Sequence, residues 1–142
     1  MAFFATLTYG AVVVPILHEF KPDNIHHIVN HSESKLLFVG DVVYENIDQS
    51  KIHHLTGIIL VNDVSVLHST SAKLINAREH LNQYFGDKYP ERFRKEDVSY
   101  HKDQPEELAL INYTSGSTGF SKGVMLPYRS LWTNLKFCYD NM

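Results

Sequence analysis

The chain has 142 residues, of which 44% are hydrophobic, 12% aromatic and 20% charged. This composition is typical of a globular domain and excludes a collagen-like, disordered or disulfide-stapled chain. Its 13 Lys and Arg residues against 16 Asp and Glu give a net charge of -3, without the basic stripe that is typical of nucleic-acid-binding proteins. The one cysteine, Cys138, excludes an internal disulfide and a cysteine-based zinc site, and it favours a reducing compartment, the cytoplasm.

The first seventeen residues carry no charged side chain. Lys21 comes too late to supply the positive region of a signal peptide. Thr6, Gly10 and Pro15 interrupt an apolar run that is shorter than the roughly 20 residues of a spanning helix. We therefore predict a helix from Ala2 that ends at Gly10 and is followed by a strand, with no transmembrane segment. Peripheral contact with a membrane stays open.

Short apolar runs and amphipathic segments alternate along the rest of the chain. Five runs are predicted as buried strands, at residues 11–14, 35–39, 57–61, 108–111 and 124–126. Helical spacing predicts helices from Pro22, around Val43, across 74–81 and over 130–142, whereas 62–71 and 86–105 are predicted as connections. This order predicts an α/β fold, with a mostly parallel sheet and helices on both faces. Ligands of such sheets bind beyond the carboxyl ends of the strands.

Both termini lack the residues that usually delimit a helix. Ala2 opens an apolar run without a capping residue before it, and the segment 130–142 stops without a glycine or a polar tail. We therefore expect residues 1–142 to be a single partial domain that is truncated at both ends.

The loop after the fourth predicted strand concentrates glycines, hydroxyls and one lysine. Glycine lets the backbone approach a ligand closely, successive amides form an anion-binding nest, and lysine supplies a point charge for phosphate. The loop therefore predicts a polyphosphate cradle, although a solvated Ser/Gly turn would explain its shortest part equally well. It is not a Walker loop, since Ser121 and not glycine precedes Lys122. Its sequence is Tyr113-Thr114-Ser115-Gly116-Ser117-Thr118-Gly119-Phe120-Ser121-Lys122-Gly123.

Residues 113–119 together with 122–124 resemble the phosphate-binding signature of the adenylate-forming enzymes, which include acyl-CoA synthetases, luciferases and adenylation domains of peptide synthetases. Residues 9–15 resemble a further segment of the same proteins, and residues 20–39 are most similar to bacterial long-chain fatty-acid–CoA ligases. The resemblance implies that the chain is the phosphate-binding part of a large N-terminal AMP-binding domain. It covers most of the chain, but residues 62–105 carry no such signature.

The resemblance also implies a two-step reaction and roles for named residues. A carboxylate attacks the α-phosphate of ATP to give an acyl-adenylate and pyrophosphate, and the thiol of coenzyme A then takes the acyl group. Lys122 is implied as the catalytic residue, and Thr114 as a ligand of Mg²⁺. The residues implied to bind the phosphates of ATP are Thr114, Ser115, Gly116, Ser117, Thr118, Gly119 and Lys122.

The sequence departs from the family pattern at two places. Ser121 stands where the family has proline before the lysine, and Pro127 with Tyr128 stands where it often has Thr-His. The family's adenine, ribose and magnesium-Glu segments and its lid lysine have no counterpart in residues 1–142. We therefore expect the chain to be an inactive part of an acyl-CoA synthetase that works with the rest of the parent chain. A self-contained, non-catalytic phosphate-binding module is the alternative.

Five histidines and the one cysteine invite other interpretations. The histidines suggest a metal site, but no HExxH frame or further ligand accompanies them, so we expect a solvated helix face. Cys138 is predicted as a small core residue of the last helix and not as a nucleophile. The histidines concerned are His26, His27, His31, His53 and His54.

Overall fold

A computed structural model describes residues 1–114 and 121–142 of the chain. Its helices are α1 (Ala2–Tyr9), α2 (Pro22–His31), α3 (Asp41–Tyr44), α4 (Ala72–Glu79), α5 (Leu81–Lys88) and α6 (Tyr128–Asn141). Its strands are β1 (Leu36–Val39), β2 (Gly57–Leu60), β3 (Val66–Ser69), β4 (Leu108–Thr114) and β5 (Lys122–Pro127). The described residues combine helices and strands along the whole chain, which confirms the α/β class. In these ranges no helix is long and apolar enough to cross a membrane.

The chain divides into two compact units, Val29–Ser99 and a unit formed by Met1–Ile28 with Tyr100–Met142. In the first of these, β1 pairs in parallel with β2, and β2 pairs antiparallel with β3. Apolar side chains of β1, β2 and the segment after α3 form its interior. The buried hydrophobic residues of this unit are Val29, Val39, Ile47, Ile58 and Ile59.

The other unit contains the β4–β5 hairpin with α1 and α6. Val13, Ala109 and Leu110 are buried at its centre, and partly buried apolar side chains from α1, β5 and α6 pack against them. Gly10 ends α1 in the left-handed conformation, with φ 87°, and its N–H donates to the carbonyls of Thr6 and Leu7. The predicted helix from Ala2 and its end at Gly10 are therefore confirmed.

The prediction of a mostly parallel sheet is wrong. The structure has two small sheets: β1–β2–β3 is mixed, and β4–β5 is antiparallel. The reason lies in the lengths of the connections, since a parallel crossover needs a dozen or more residues. Only residues 61–65 join β2 to β3, and only residues 115–121 join β4 to β5.

Four further expectations differ from the structure. The predicted strand at 11–14 makes one isolated parallel bridge, between Val13 and Leu110. The predicted connection 62–71 contains β3, and the predicted helix at 74–81 is divided at His80 into α4 and α5. Cys138, expected in the core, is exposed.

Candidate phosphate-binding hairpin

The predicted phosphate loop lies only in part within the described residues. Thr114 is the last residue of β4 and Lys122 is the first residue of β5. The other predicted phosphate-binding residues lie outside the described residues: Ser115, Gly116, Ser117, Thr118 and Gly119. Within the described residues, the candidate site consists of the two ends of the loop and the side chains that contact them.

Thr114 and Lys122 are directly opposite each other in the antiparallel ladder. The Cα atoms of such partners are about 4.5–5.5 Å apart, so the chain leaves β4 and returns to β5 at almost the same point. Both residues are exposed. A hydroxyl and an ammonium group therefore flank the loop, and this pair is suited to an anionic ligand such as a phosphate.

The buried base of β4 fixes the position of this hairpin. Ala109 is fully buried, and its carbonyl accepts a hydrogen bond of 2.9 Å from the N–H of Val13. The N–H of Ile111 donates to the carbonyl of Val13 over the same distance. Because the two hydrogen bonds flank Leu110 on one edge of β4, the segment at Val13 acts as a parallel neighbour of this strand.

Tyr113 and Gly123 pair across the hairpin next to its open end. Tyr113 is buried, and burial raises the pKa of its hydroxyl above the ordinary value. The phenol is therefore neutral at physiological pH and acts as a packing group. A Cβ on Gly123 would lie 2.9 Å from Ile111 Cγ2 and 3.1 Å from Tyr113 Cζ. A glycine at this position is what allows the strands to approach each other around the tyrosine ring.

His27 contacts the end of the loop that leads into β5. Its Nε2 lies 3.3 Å from the carbonyl oxygen of Ser121, the residue before Lys122. Sequence reasoning placed His27 on a solvated helix face and missed this contact. The two residues are 94 positions apart, so no local pattern could have indicated it.

The expectation of a solvated histidine face is also wrong for His26. Only 5% of His26 is exposed, and its Nδ1 lies 3.8 Å from a carboxylate oxygen of Asp23 one turn earlier. His31, His53 and His54 are exposed, as expected. Within residues 1–114 and 121–142, no three His, Cys, Asp or Glu side chains lie close enough together to hold a metal ion. The proposed magnesium ligand Thr114 is a hydroxyl and is not tested by that observation.

Tyr128 occupies the second position at which the sequence departs from the family pattern. Its hydroxyl donates a hydrogen bond of 2.9 Å to the carbonyl of Leu7, and so joins the start of α6 to α1. Burial, and then the charges of Asp103 and Glu107, raise the pKa of this hydroxyl above its ordinary value. These contacts indicate a structural role for Tyr128.

An open cleft of about 570 Å³ lies along β3 in the other unit. Its one arginine, Arg78, donates to the carbonyl of Val64 over 2.8 Å and to that of Asp63 over 3.2 Å. The guanidinium therefore stabilises the turn before β3, and no feature of this cleft points to a ligand.

Comparison with known proteins identifies relatives of the whole described region. The chain matches the family described as AMP-binding enzyme over residues 1–142. A Bacillus subtilis (strain 168) protein named "Putative acyl--CoA ligase YdaB" is 31% identical over 94% of this chain and 24% of its own length. The long-chain-fatty-acid–CoA ligase of Escherichia coli O157:H7 is 26% identical over 96% of this chain and 26% of its own length. The chain thus spans about a quarter of the length of these relatives.

Solved structures of similar proteins share the fold. An anthranilate CoA ligase in complex with anthranoyl-AMP aligns with a TM-score of 0.64 at 20% identity, over 90% of this chain and 22% of that chain. A long-chain-fatty-acid-CoA ligase from Archaeoglobus fulgidus aligns with a TM-score of 0.57 at 26% identity, over 89% and 22%. The small mixed sheets described above therefore match part of a larger α/β domain in these enzymes.

Proposed function

Because the chain belongs to the AMP-binding enzyme family, we propose that it is part of an ATP-dependent acid–thiol ligase. In this reaction a carboxylate oxygen attacks the α-phosphorus of ATP, and the bond to the leaving pyrophosphate breaks. The sulfur of coenzyme A then attacks the acyl carbon and releases AMP. The observation that carries the proposal is the hairpin register, which brings Thr114 and Lys122 together at the two ends of the glycine- and hydroxyl-rich loop.

The loop would bind the β- and γ-phosphates of ATP. Lys122 supplies the positive charge, and its exposure leaves the ammonium accessible to a phosphate. Bound Mg²⁺ would neutralise phosphate charge, with the hydroxyl of Thr114 as one ligand. The loop residues Ser115, Gly116, Ser117, Thr118 and Gly119 would add amides and hydroxyls.

A long-chain fatty acid is the acyl substrate that we propose. Residues 20–39 resemble long-chain fatty-acid–CoA ligases, and two enzymes named for that activity are 26% identical to this chain. The parent enzyme would be cytoplasmic, as the single cysteine favours. It would use coenzyme A as co-substrate and complete its active site with the rest of the parent chain.

A chimera tests this proposal. Residues 1–142 replace the matching segment of the Escherichia coli ligase, and ATP–pyrophosphate exchange is measured with fatty acids of several lengths and one aryl acid. We expect exchange that depends on a long-chain acid. A folded chimera that binds ATP but exchanges no pyrophosphate would contradict the ligase proposal, and exchange with the aryl acid alone would contradict the proposed substrate.

A titration of the chain itself tests the phosphate site without catalysis. Pyrophosphate is added while amide chemical shifts are recorded, and we expect changes confined to residues 114–123. Binding at these residues without any activity of the chimera would favour the non-catalytic phosphate-binding module. Changes at the histidines of α2 alone would contradict the assigned site.

A further inference from the structure

We propose that His27 is a positioning residue of the phosphate loop, which it restrains by donating a hydrogen bond from Nε2–H to the carbonyl of Ser121. This inference rests on the proposed function of the loop. His27 is assigned no contact with ATP; it acts through the backbone next to Lys122.

The buried neighbours of His27 on α2 hold its backbone in place. It lies on α2 between Ile25 and Ile28, which are 4% and 0% exposed. The 3.3 Å contact joins Nε2 to an oxygen that can only accept, so a hydrogen bond between them requires the proton on Nε2. The contact thus connects a helix that is buried on one side to the last residue before β5.

The sequence gives a reason for this restraint. Ser121 stands where the family pattern has proline, whose ring would fix φ. A serine leaves that dihedral free, which increases the conformational entropy that residue 121 loses when its backbone is fixed. A hydrogen bond to the carbonyl of Ser121 restrains the backbone of the same residue without a proline ring.

Lys122 is then restrained from both sides along the backbone. On one side the carbonyl of Ser121 contacts His27, and on the other Gly123 packs against Tyr113. A lysine on a fixed backbone loses less freedom when its ammonium binds a phosphate, so binding is tighter.

The test combines a spectroscopic measurement with matched variants. Long-range ¹H–¹⁵N spectra of the wild-type chain report which nitrogen of His27 is protonated, and we expect Nε2–H. Pyrophosphate titrations then compare His27→Leu with His27→Gln, whose amide nitrogen replaces the Nε2 donor. We expect His27→Leu to weaken binding about threefold to tenfold, as for the loss of one hydrogen bond, and His27→Gln to stay within about twofold of wild type. The control His31→Leu, one turn later on α2, should bind as wild type does.

A proline replacement provides an independent check. Ser121→Pro in the His27→Leu background should recover most of the lost affinity, because the ring restores the restraint. An Nδ1–H tautomer in the wild type, or equal losses in His27→Leu and His27→Gln, would overturn the role of His27. If wild-type residues 114–123 do not respond to pyrophosphate, the proposed phosphate site fails. The tautomer spectrum still decides whether His27 contacts Ser121.

Discussion

At the scale of single residues, Lys122 is the group whose loss should affect the chemistry most. It is exposed at the start of β5 and buries little surface, so its truncation removes charge without removing packing. In the Escherichia coli chimera we expect Lys122→Ala to slow adenylate formation by roughly 10²–10³, as for the loss of one preorganised charge at a developing anion. The measurement is ATP–pyrophosphate exchange.

The control for Lys122 is Lys136→Ala, which removes an exposed lysine of α6 and should leave exchange unchanged. Melting temperatures of both variants should stay close to that of the unsubstituted chimera. A Lys122→Ala chimera with full activity would show that this lysine does not contact the phosphates.

Gly123 should be intolerant of even one methyl group. A Cβ there would lie 2.9 Å from Ile111 Cγ2 and 3.1 Å from the Tyr113 ring, and both neighbours belong to β4. We expect Gly123→Ala to lower the free energy of unfolding by about 1–3 kcal/mol, in the range of overpacked sites. Urea unfolding of the 142-residue chain measures the change.

Gly86→Ala is the matched control, because nothing lies within 4 Å of its Cβ position. Gly86 is inside α5, so alanine should stabilise the helix by about 0.5–1 kcal/mol. If both alanines changed stability in the same direction and by the same amount, the tight packing described for Gly123 would be wrong.

The string from Tyr113 to Gly123 predicts one phosphate site that includes Thr114 and Lys122, and this site stays a prediction. The structure places the two residues opposite each other in the hairpin. His27 was missed because its contact with Ser121 depends on the fold. His26 was misjudged because a histidine between apolar residues can be buried as readily as solvated.

At the scale of elements, the segment before β4 is attached to α1 through polar contacts. The N–H of His101 donates to the carbonyl of Thr8 over 2.9 Å. The carboxylate of Glu107 lies 2.9 Å from His101 Nε2 and accepts a hydrogen bond of 3.2 Å from the N–H of Gln104. Gly10 makes room for this arrangement, since a Cβ there would collide with the ring of His101.

The pH dependence of stability follows from this arrangement. The hydrogen bond with His101, and then the one from Gln104, lowers the pKa of Glu107 below its ordinary value. A carboxylate whose pKa is lower in the folded state stabilises the fold above its unfolded pKa, and this contribution is lost as pH falls through the folded pKa. Glu107→Gln should therefore reduce the loss of melting temperature between pH 7 and pH 3.

The control is Glu45→Gln, which removes an exposed carboxylate at the end of α3 and should keep the wild-type loss. Thermal unfolding followed by circular dichroism measures all three proteins. An unchanged pH profile in Glu107→Gln would show that this carboxylate does not contribute to acid sensitivity.

Element types were easier to predict than their pairing. The apolar runs at β1, β2, β4 and β5 indicated strands correctly, because buried strands have a strong composition signal. β3 was missed, although Asn62 and Asp63 are residue types that favour a turn before a strand. The Asp63 carboxylate accepts a hydrogen bond from the N–H of Ser65 in that turn. Strand direction was mispredicted because the prediction used the alternation of strands and helices along the chain and left out the lengths of the connections between strands.

At the scale of the whole molecule, α6 presents more apolar surface than the described residues cover. Leu131 packs against the buried cluster around Ala109, whereas Trp132 is 68% exposed and Leu135 61%. Exposed apolar surface of this kind typically marks an interaction site. Together with the quarter-length match to relatives, it supports the proposal that residues 1–142 are one part of a larger domain.

These 142 residues by themselves should not form an acyl-adenylate. In the proposed function the loop and Lys122 contact two phosphates, whereas the resemblance assigns the adenine, ribose, magnesium-Glu and lid contacts to segments without a counterpart here. Orienting the reactants lowers the activation free energy of such reactions by about 7–11 kcal/mol. Contacts to the phosphates alone do not orient a carboxylate towards the α-phosphorus. We therefore expect the purified chain to bind pyrophosphate weakly and to give no ATP–pyrophosphate exchange with any fatty acid. The active chimera serves as the positive control in the same assay. Exchange by the pure chain that disappears in Lys122→Ala would contradict this expectation and would assign a complete adenylation site to residues 1–142.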